Sequence, residues 1–395
     1  HLLGEFHRRG GRLGLGPYLF RFTAPDDPSP FDPARDDSCG RLAGVPVVVH
    51  QPTGLVPRLA GPGILPFACL FNTPDRPQAA LEMFPLVAIE LEKLARHLGQ
   101  QAADGASAAS AVVCNLGVLG GYGLSGESAA DRVEVDLAAR TRANPDRVAM
   151  KLIEFLDQAA GPYAAAHGDA TARIDPRTGE PVLRHHFDVQ TETTAQEQRF
   201  RIIFHGLPGP MGPVGTTDSA VNKAACMLAA LLKASAAFPN VKVSARLSDG
   251  SGDAGRIVLG GVQSFLPPTA PAELESRMRG CVEKGVQKLC RLRGLRPDPD
   301  MARLSFEKPS LPWATAPDSR LALAFQAAAD RAGIRLSAEG PPPVSPVAAR
   351  AARLGCPVVV FGAADHADAA TPDPRGDLQE LARAVILSSL VAACR

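Results

Sequence analysis

Short apolar runs alternate with long amphipathic stretches through most of this 395-residue chain. Residues 80–98 and 145–163 place apolar side chains three and four positions apart, which is the spacing of one helix face. Residues 45–50 and 357–361 are short and almost wholly apolar, as buried strands are. Because strands that alternate with helices in sequence form sheets covered by helices, the pattern predicts an α/β fold.

The middle third of the chain has a different rhythm, in which strand and helix patterns repeat over shorter intervals. The strand patterns are 199–204, 241–246 and 256–259, and the helix patterns are 218–234 and 270–291. Such a repeat predicts a small sheet with helices on one face. A chain of this length also exceeds what one hydrophobic core usually organises. We therefore expect residues 1–196 and 298–395 to form one discontinuous α/β lobe, and residues 197–297 to form an inserted α+β domain.

Charge and cysteine content exclude several classes of protein. The chain carries 42 basic and 41 acidic residues, intermixed, so it lacks the excess of positive charge that a nucleic-acid-binding face requires. No apolar run reaches the length of about 18 residues that a membrane span needs, and no signal-peptide pattern is present. The eight cysteines include no closely spaced pair, which is typical of buried thiols in a reducing compartment. We predict a cytoplasmic protein without nucleic-acid or membrane partners.

Several segments carry a resemblance to a known family. They are Phe204-His-Gly-Leu-Pro-Gly-Pro-Met-Gly212, the helix pattern after Asp218, Gly260-Gly-Val-Gln-Ser-Phe-Leu-Pro267, Phe306-Glu-Lys-Pro309 and Val358-Val-Val-Phe-Gly362. They resemble the two-zinc peptidases and deacylases, the family of glutamate carboxypeptidase, carnosinase, acetylornithine deacetylase and succinyl-diaminopimelate desuccinylase. The resemblance covers about residues 197–395. It implies a hydrolase-type α/β lobe whose inserted domain is a lid through which family members commonly dimerise.

The resemblance also implies a centre of two zinc ions, held by histidine and carboxylate side chains around a shared water. The corresponding positions in this chain carry Pro52, Gly54, Pro66, Val347 and Ala370. None of these side chains has an atom that binds zinc. The chain contains no Glu-Glu pair, from which the family takes its general base, and Pro210 replaces the lid histidine. The resemblance therefore implies the fold without its metal site, and we predict no cofactor.

Two functions remain open at this stage. The first is a pseudohydrolase, a non-hydrolytic binding or assembly subunit that retains the fold of a metallopeptidase or amidohydrolase. The second is an active zinc-dependent peptidase or N-acyl amino acid amidohydrolase, whose metal ligands lie upstream of His1 or at positions that the motifs do not align. Because the chain begins with His1 rather than methionine, we expect the natural start to lie further upstream.

The candidate pocket residues are those that we expect near the positions where the resemblance implies metal ligands. They are Arg350, Ser345, His366, Asp365, His50 and His205. We expect Arg350 to bind a small carboxylate or peptide-like ligand, because a guanidinium group pairs with a carboxylate through two hydrogen bonds. His366 and Asp368, two positions apart, are the alternative as ligands of a metal ion. An exposed polar loop is the simpler interpretation of that pair.

Further patterns favour specific interactions. Apolar residues from Ala220 to Leu231 form a wide stripe on the helix pattern 218–234, which predicts a homodimer through residues 197–297. Cys114 and His50 would form a nucleophilic pair if the fold brought them together. Gly121-Tyr-Gly-Leu-Ser-Gly126 has the spacing of a dinucleotide-binding loop, but no helix pattern follows it, so an ordinary loop is expected.

Overall fold

The computed structural model describes residues 46–50, 57–101, 112–123, 129–140, 144–167, 170–174, 181–193, 198–206, 218–237, 242–332 and 345–361. The chain divides into two compact units. Unit 1 combines the residues up to Gly63 with those from Ser310 onward, and unit 2 runs from Ile64 to Pro309. Helices and strands are mixed in both units, which confirms the predicted α/β class.

Strands and helices follow one another along the whole described chain. The strands are β1 (Val47–His50), β2 (Ala60–Gly61), β3 (Gly63–Asn72), β4 (Cys114–Leu119), β5 (Arg132–Arg140), β6 (Ala170–Ile174), β7 (Pro181–His185), β8 (Phe187–Thr193), β9 (Gln198–His205), β10 (Lys242–Leu247), β11 (Arg256–Phe265), β12 (Ala302–Phe306), β13 (Trp313–Ala314) and β14 (Val358–Phe361). The helices are α1 (Pro77–Gln101), α2 (Pro145–His167), α3 (Ala220–Ala237), α4 (Pro271–Arg293), α5 (Arg320–Ala332) and α6 (Pro346–Arg353).

Unit 1 is built around the parallel pair of β1 and β14. The two described helices of this unit, α5 and α6, pack against β14. Phe325 of α5 meets Phe361 of β14 edge to face, with ring centroids 5.4 Å apart, a favoured aromatic geometry. The predicted apolar strand at 357–361 is thus confirmed as a core strand, all of whose residues from Val358 to Phe361 are buried.

Unit 2 contains two four-stranded sheets, each with strand–helix–strand connections. The outer sheet has the order β12-β3-β11-β4, and the inner sheet has the order β10-β5-β9-β8. Numbered by their own order in sequence, the strands of both sheets lie in the spatial order 4-1-3-2. Each sheet therefore belongs to a βαββαβ unit of the ferredoxin-like kind. We call β3, α1, β4, β11, α4 and β12 the outer repeat, and β5, α2, β8, β9, α3 and β10 the inner repeat.

The inner repeat is inserted into the outer repeat between β4 and β11. Its sheet is antiparallel throughout, because β5 pairs antiparallel with β10 and β9, and β9 pairs antiparallel with β8. The hairpin of β6 and β7 is an addition between α2 and β8. On β5, buried Val133, Val135 and Leu137 alternate with residues that are only half-buried, as expected for a sheet with one apolar face.

Helices of the two repeats pack against one another. Helix α1 of the outer repeat contacts α4 of its own repeat and α3 of the inner repeat, and α3 also contacts α2. The apolar stripe on α3, including Val221, Ala224 and Met227, is buried by these contacts. The stripe is therefore covered within one chain and no longer supports the homodimer. Dimerisation through residues 197–297 stays a prediction.

The described division differs from the boundaries expected at 196/197 and 297/298. Strand β9 lies after the first expected boundary but pairs with β5 and β8, which lie before it. Strand β12 lies after the second boundary but pairs with β3 and belongs to unit 2. Because sheet hydrogen bonds cross both expected boundaries, the compact unit is longer than the predicted insertion. Among the described helices, none is both long and apolar enough to cross a bilayer.

Candidate functional site

A groove of about 740 Å³ lies on the polar face of the inner sheet. Its walls also include the first turn of α1 and the loop at residues 251–253. The charged side chains that line it are Arg199, Arg201, Arg246, Asp136, Glu192 and Asp253. The arginines come from β9 and β10, where they alternate with apolar residues, because successive side chains of a strand point to opposite faces.

Asp136 lies at the centre of the charged residues in this groove. In the strand register it stands opposite Arg246 on one side and opposite Arg201 on the other. Arg201 donates from Nε to Asp136 Oδ1 at 2.8 Å and from Nη2 to Oδ2 at 3.5 Å. Arg246 donates from Nη2 to Oδ2 at 3.4 Å, and Ser248 Oγ donates to Oδ1 at 2.9 Å. One carboxylate thus holds two guanidinium groups.

The surroundings of Asp136 keep it ionised. Burial raises the pKa of this carboxyl, but hydrogen bonds from Arg201 and Ser248 and the charges of Arg201 and Arg246 outweigh burial, so its pKa lies below the ordinary value. The hydrogen bond to Asp136 in turn raises the pKa of Arg201. The three groups therefore form a charged set at neutral pH, with two positive charges and one negative charge.

A second polar cluster lies inside the inner repeat, around the fully buried side chain of Lys223. Its ammonium group donates to the His205 carbonyl and to Asp218, the latter at 2.8 Å, and lies 5.3 Å from the centre of the Tyr163 ring. Tyr163 donates its hydroxyl to Asp218 at 2.5 Å. Burial lowers the pKa of Lys223, and Asp218 opposes that effect without cancelling it. The ammonium is thus surrounded by its own protein, and this cluster is structural.

His205 is the one predicted pocket residue that the structure places in a polar cluster of unit 2. It ends β9, and its Nε2 lies 2.8 Å from Asp188 Oδ2. Because an ionised carboxylate only accepts hydrogen bonds, Nε2 carries the hydrogen. Its Nδ1 atom is buried and has no hydrogen-bond partner among the described residues. Beside this pair, His186 packs edge-on against Tyr163, with ring centroids 5.1 Å apart.

The other predicted pocket residues are not brought together by the described structure. Ser345 is the N-cap of α6, where its hydroxyl accepts from the Ala348 N–H, so its oxygen serves the helix end. Arg350 is half-buried on the same helix, where it already has an interaction. His50 ends β1, and only its backbone is described. His366, Asp365 and Asp368 lie outside the described residues.

The residues present were tested against the zinc centre that the resemblance implies. Within the described part of the chain, no three or more histidine, cysteine, aspartate or glutamate side chains gather closely enough to hold a metal ion. Pro66 lies in β3 and Val347 in α6, and neither offers a ligand atom. Pro52, Gly54, Ala370 and Pro210 lie outside the described residues. The described residues do not fit zinc.

Thiol chemistry and dinucleotide binding find no support in the described residues. Burial raises the pKa of Cys114, which opposes the thiolate that a nucleophile requires. Of His50, its expected partner, only the backbone is described. Gly121 lies in a turn, where its N–H donates to Asp249 at 3.0 Å and to Ser251 at 3.1 Å. Oxygen atoms of the Asp249 and Ser251 side chains thus occupy the position that a phosphate oxygen would take in a dinucleotide-binding loop.

The arginines of the groove were missed by the sequence analysis. A signal for them was present, because Gln198-Arg-Phe-Arg-Ile202 and Arg132-Val-Glu-Val-Asp136 alternate charged and apolar residues. This alternation marks strands with one charged face. What it did not show is that β5 lies between β9 and β10, which places Asp136 between two arginines.

Comparisons with known proteins give weak likenesses only. No protein-family model matches the chain, and no curated protein matches it. Solved structures similar to it include aminopeptidase PepT from Bacillus cereus ATCC 10987, with 12% identity, a TM-score of 0.26, and coverage of 71% of this chain and 53% of that one. Aminoacylhistidine dipeptidase from Vibrio alginolyticus has 9% identity and a TM-score of 0.29, with coverage of 89% of this chain and 65% of that one. The dipeptidase Dug1p from Saccharomyces cerevisiae has 11% identity and a TM-score of 0.33, with coverage of 88% of this chain and 57% of that one.

All three similar structures are named as peptidases, the class of protein that the sequence motifs resemble. Identities near these values bear on the fold alone, and TM-scores below 0.5 are too low to carry an argument even there. The chain spans between about half and two thirds of the length of these proteins.

Proposed function

We propose that this chain is a pseudohydrolase, a binding protein with the architecture of a metallopeptidase that recognises a small carboxylate or peptide-like ligand without hydrolysing it. The observation that carries the proposal is the set of residues at the five expected zinc stations. Pro52, Gly54, Pro66, Val347 and Ala370 offer no side-chain ligand atom. Two zinc ions require several histidine and carboxylate ligands, and losses at all five stations leave no partial set.

Two further features support recognition rather than hydrolysis. The chain has no Glu-Glu pair to supply the general base that activates a metal-bound water. The positively charged groups of unit 2 also differ in how many of their hydrogen bonds are satisfied within the protein. Lys223 has its hydrogen bonds satisfied inside the protein, whereas Arg201 and Arg246 face an open groove. Positive groups that face solvent in a groove are suited to binding an anionic ligand.

Elemental analysis of the purified 395-residue chain tests the proposal directly. After mild dialysis we expect far less than one equivalent of zinc per chain. In parallel, the protein is incubated with alanyl-alanine and with N-acetyl-ornithine, with and without added zinc, and the released amines are measured. We expect no turnover above the rate without protein.

The alternative function predicts the opposite results. Two tightly held zinc ions per chain, together with chelator-sensitive cleavage of either compound, would show an active metal-dependent hydrolase and overturn the proposal. A metal-free protein that fails to cleave either compound even with added zinc supports it. Circular dichroism of the same preparation ensures that inactivity is measured on folded protein.

A further inference from the structure

The guanidinium groups of Arg201 and Arg246 have hydrogen-bonding capacity that the described structure does not use. A guanidinium group carries five N–H donors in a rigid plane. Asp136 accepts two hydrogen bonds from Arg201 and one from Arg246. The Arg201 side chain is 47% exposed, and the Arg246 side chain is 65% exposed. Both arginines therefore present unused donors to the groove.

Asp136 fixes the positions of these donors before any ligand binds. Its side chain is only 19% exposed and lies between the two arginines in the sheet register. Ser248 adds a hydrogen bond to the same carboxylate. A long arginine side chain normally loses rotamer freedom when it binds, and a partner that already holds it reduces this cost. The pair is preorganised on a sheet.

The floor of the groove beside the pair includes the small side chains of Ala138 and Ser244. In the next row of the sheet, Ala138 stands between Ser244 on β10 and Arg199 on β9. Long side chains reach diagonal neighbours on adjacent strands, which lie about 7–8 Å apart. A ligand atom above Ala138 would thus be within reach of Arg201 and Arg246 without displacing a bulky residue.

The charges around the groove limit which anion fits. Two arginines and Asp136 leave one net positive charge at the pair, because Glu134, whose Oε2 lies 3.9 Å from Arg201 Nε, is itself paired with Arg132 at 2.6 Å. Arg199 stands opposite Glu192 in the strand register. Asp253 adds a further carboxylate to the lining. A ligand with many negative charges, such as a polyphosphate or a nucleic acid, would meet Glu192 and Asp253. A ligand with one carboxylate and neutral or positive groups elsewhere would not.

We propose that Arg201 and Arg246 bind the terminal carboxylate of a short peptide whose remaining residues lie in the groove of the inner sheet. A carboxylate is planar and pairs with a guanidinium group through two parallel hydrogen bonds. The acidic residues Glu192 and Asp253 suit the amide N–H groups of the same peptide. This inference rests on the proposed recognition function and gives it a site.

Binding of tetraalanine to the full chain tests the inference. The probe is tetraalanine with a fluorophore at its amino end, prepared with a free terminal carboxylate and as the terminal amide, and its anisotropy is measured at low salt. We expect the acid to bind at least tenfold more tightly than the amide. Arg246→Ala and Arg201→Ala should each weaken binding of the acid at least tenfold and leave the amide unaffected.

Matched variants separate recognition from general charge. Arg303→Ala removes an exposed arginine of the outer sheet that pairs with Asp300, and it should leave binding unchanged. Arg246→Lys keeps the charge without the planar fork and should recover only part of the affinity. Equal affinity for acid and amide, or equal losses in Arg303→Ala and Arg246→Ala, would overturn the inference. Displacement of the probe by phosphate but not by acetate would also overturn it.

The two proposals fail in different ways. If the same preparation is free of zinc and inactive but does not distinguish the acid from the amide, only the groove assignment is wrong. If it contains zinc and cleaves tetraalanine, the pseudohydrolase function is wrong. In that case the binding series, repeated with a chelator to stop cleavage, still decides whether Arg201 and Arg246 bind the carboxylate. Circular dichroism of each variant confirms that the sheet is retained.

Discussion

The ammonium group of Lys223 lies 2.8 Å from the carboxylate of Asp218, at the end of a side chain that is completely buried. The same ammonium group donates to the carbonyl of His205, which ends β9. One lysine therefore connects the end of a strand to Asp218, which lies two residues before α3. Removing either charge alone would leave the other in a poorly solvated place, which is costlier than removing both.

We predict that Lys223→Met destabilises the protein by about 3–5 kcal/mol, the usual cost of leaving one partner of a buried ion pair unpaired. Urea unfolding followed by circular dichroism measures the change. The double variant Lys223→Met with Asp218→Asn should recover a substantial part of the loss, because no isolated charge remains. Lys93→Met removes a half-exposed lysine whose partner Glu90 keeps its ion pair with Lys288, so it should cost no more than about 1 kcal/mol. Equal losses in the two single variants would contradict the argument.

Most secondary structure could be predicted from the sequence, because its apolar periodicity is strong. The helix pattern 145–163 corresponds to α2 at Pro145–His167, and the strand pattern 199–204 to β9. Strand β3 was missed. It begins at the last residue of a Gly-Pro-Gly sequence and contains Pro66, and residues on both of its faces are apolar. The sequence therefore lacks the alternation of a half-buried strand and contains residues that usually interrupt strands. Pro66 is accommodated with its carbonyl accepting from Glu307 N–H.

The candidate site could be predicted only in part, and for a physical reason. Arg246 and Asp136 are 110 positions apart in the chain and meet because β10 and β5 are neighbours in the inner sheet. Alternation indicates which face of each strand is polar, but it carries no information about which strand lies beside which. Nesting one βαββαβ repeat inside another makes strand neighbours still harder to predict, since it separates β4 from β11 by the whole inner repeat. Topology, rather than any local motif, creates the groove.

A close contact between α1 and α4 gives a second prediction. A methyl group added at Gly285 of α4 would lie 2.5 Å from Val87 Cγ2 and 2.9 Å from Val87 Cα. Because packed helices do not separate locally without losing contacts, we expect Gly285→Ala to destabilise the protein by about 1–3 kcal/mol. Thermal unfolding followed by circular dichroism measures this loss.

Gly280 on the same helix provides the control. Nothing lies within 4 Å of a methyl group added there, so Gly280→Ala should gain up to about 1 kcal/mol from the higher helix propensity of alanine. The same substitution five positions apart is thus expected to have opposite signs. If both variants are stabilised, the contact with Val87 is looser than described, and if both are destabilised, helix packing is not the cause.

The carboxylate of Asp136 should make stability depend on pH in the acid range. Its pKa in the folded protein is lowered, so folding favours the ionised form. Such a group stabilises the folded state above its unfolded pKa of about 3.9, and this contribution is lost as pH falls through the lower folded pKa. The advantage of the wild-type chain over Asp136→Asn should therefore be full at pH 7 and shrink below about pH 4.

Urea unfolding of both proteins at several pH values between neutrality and pH 3 measures this difference. Asp300→Asn is the matched control, because Asp300 is an exposed carboxylate that also pairs with an arginine, and exposed pairs contribute little at any pH. A gap between wild type and Asp136→Asn that stays constant from pH 7 to pH 3 would show that the carboxylate charge is not what holds the two arginines. A gap that closes in acid, with none for Asp300→Asn, identifies Asp136 as the charged centre that holds Arg201 and Arg246 in the groove.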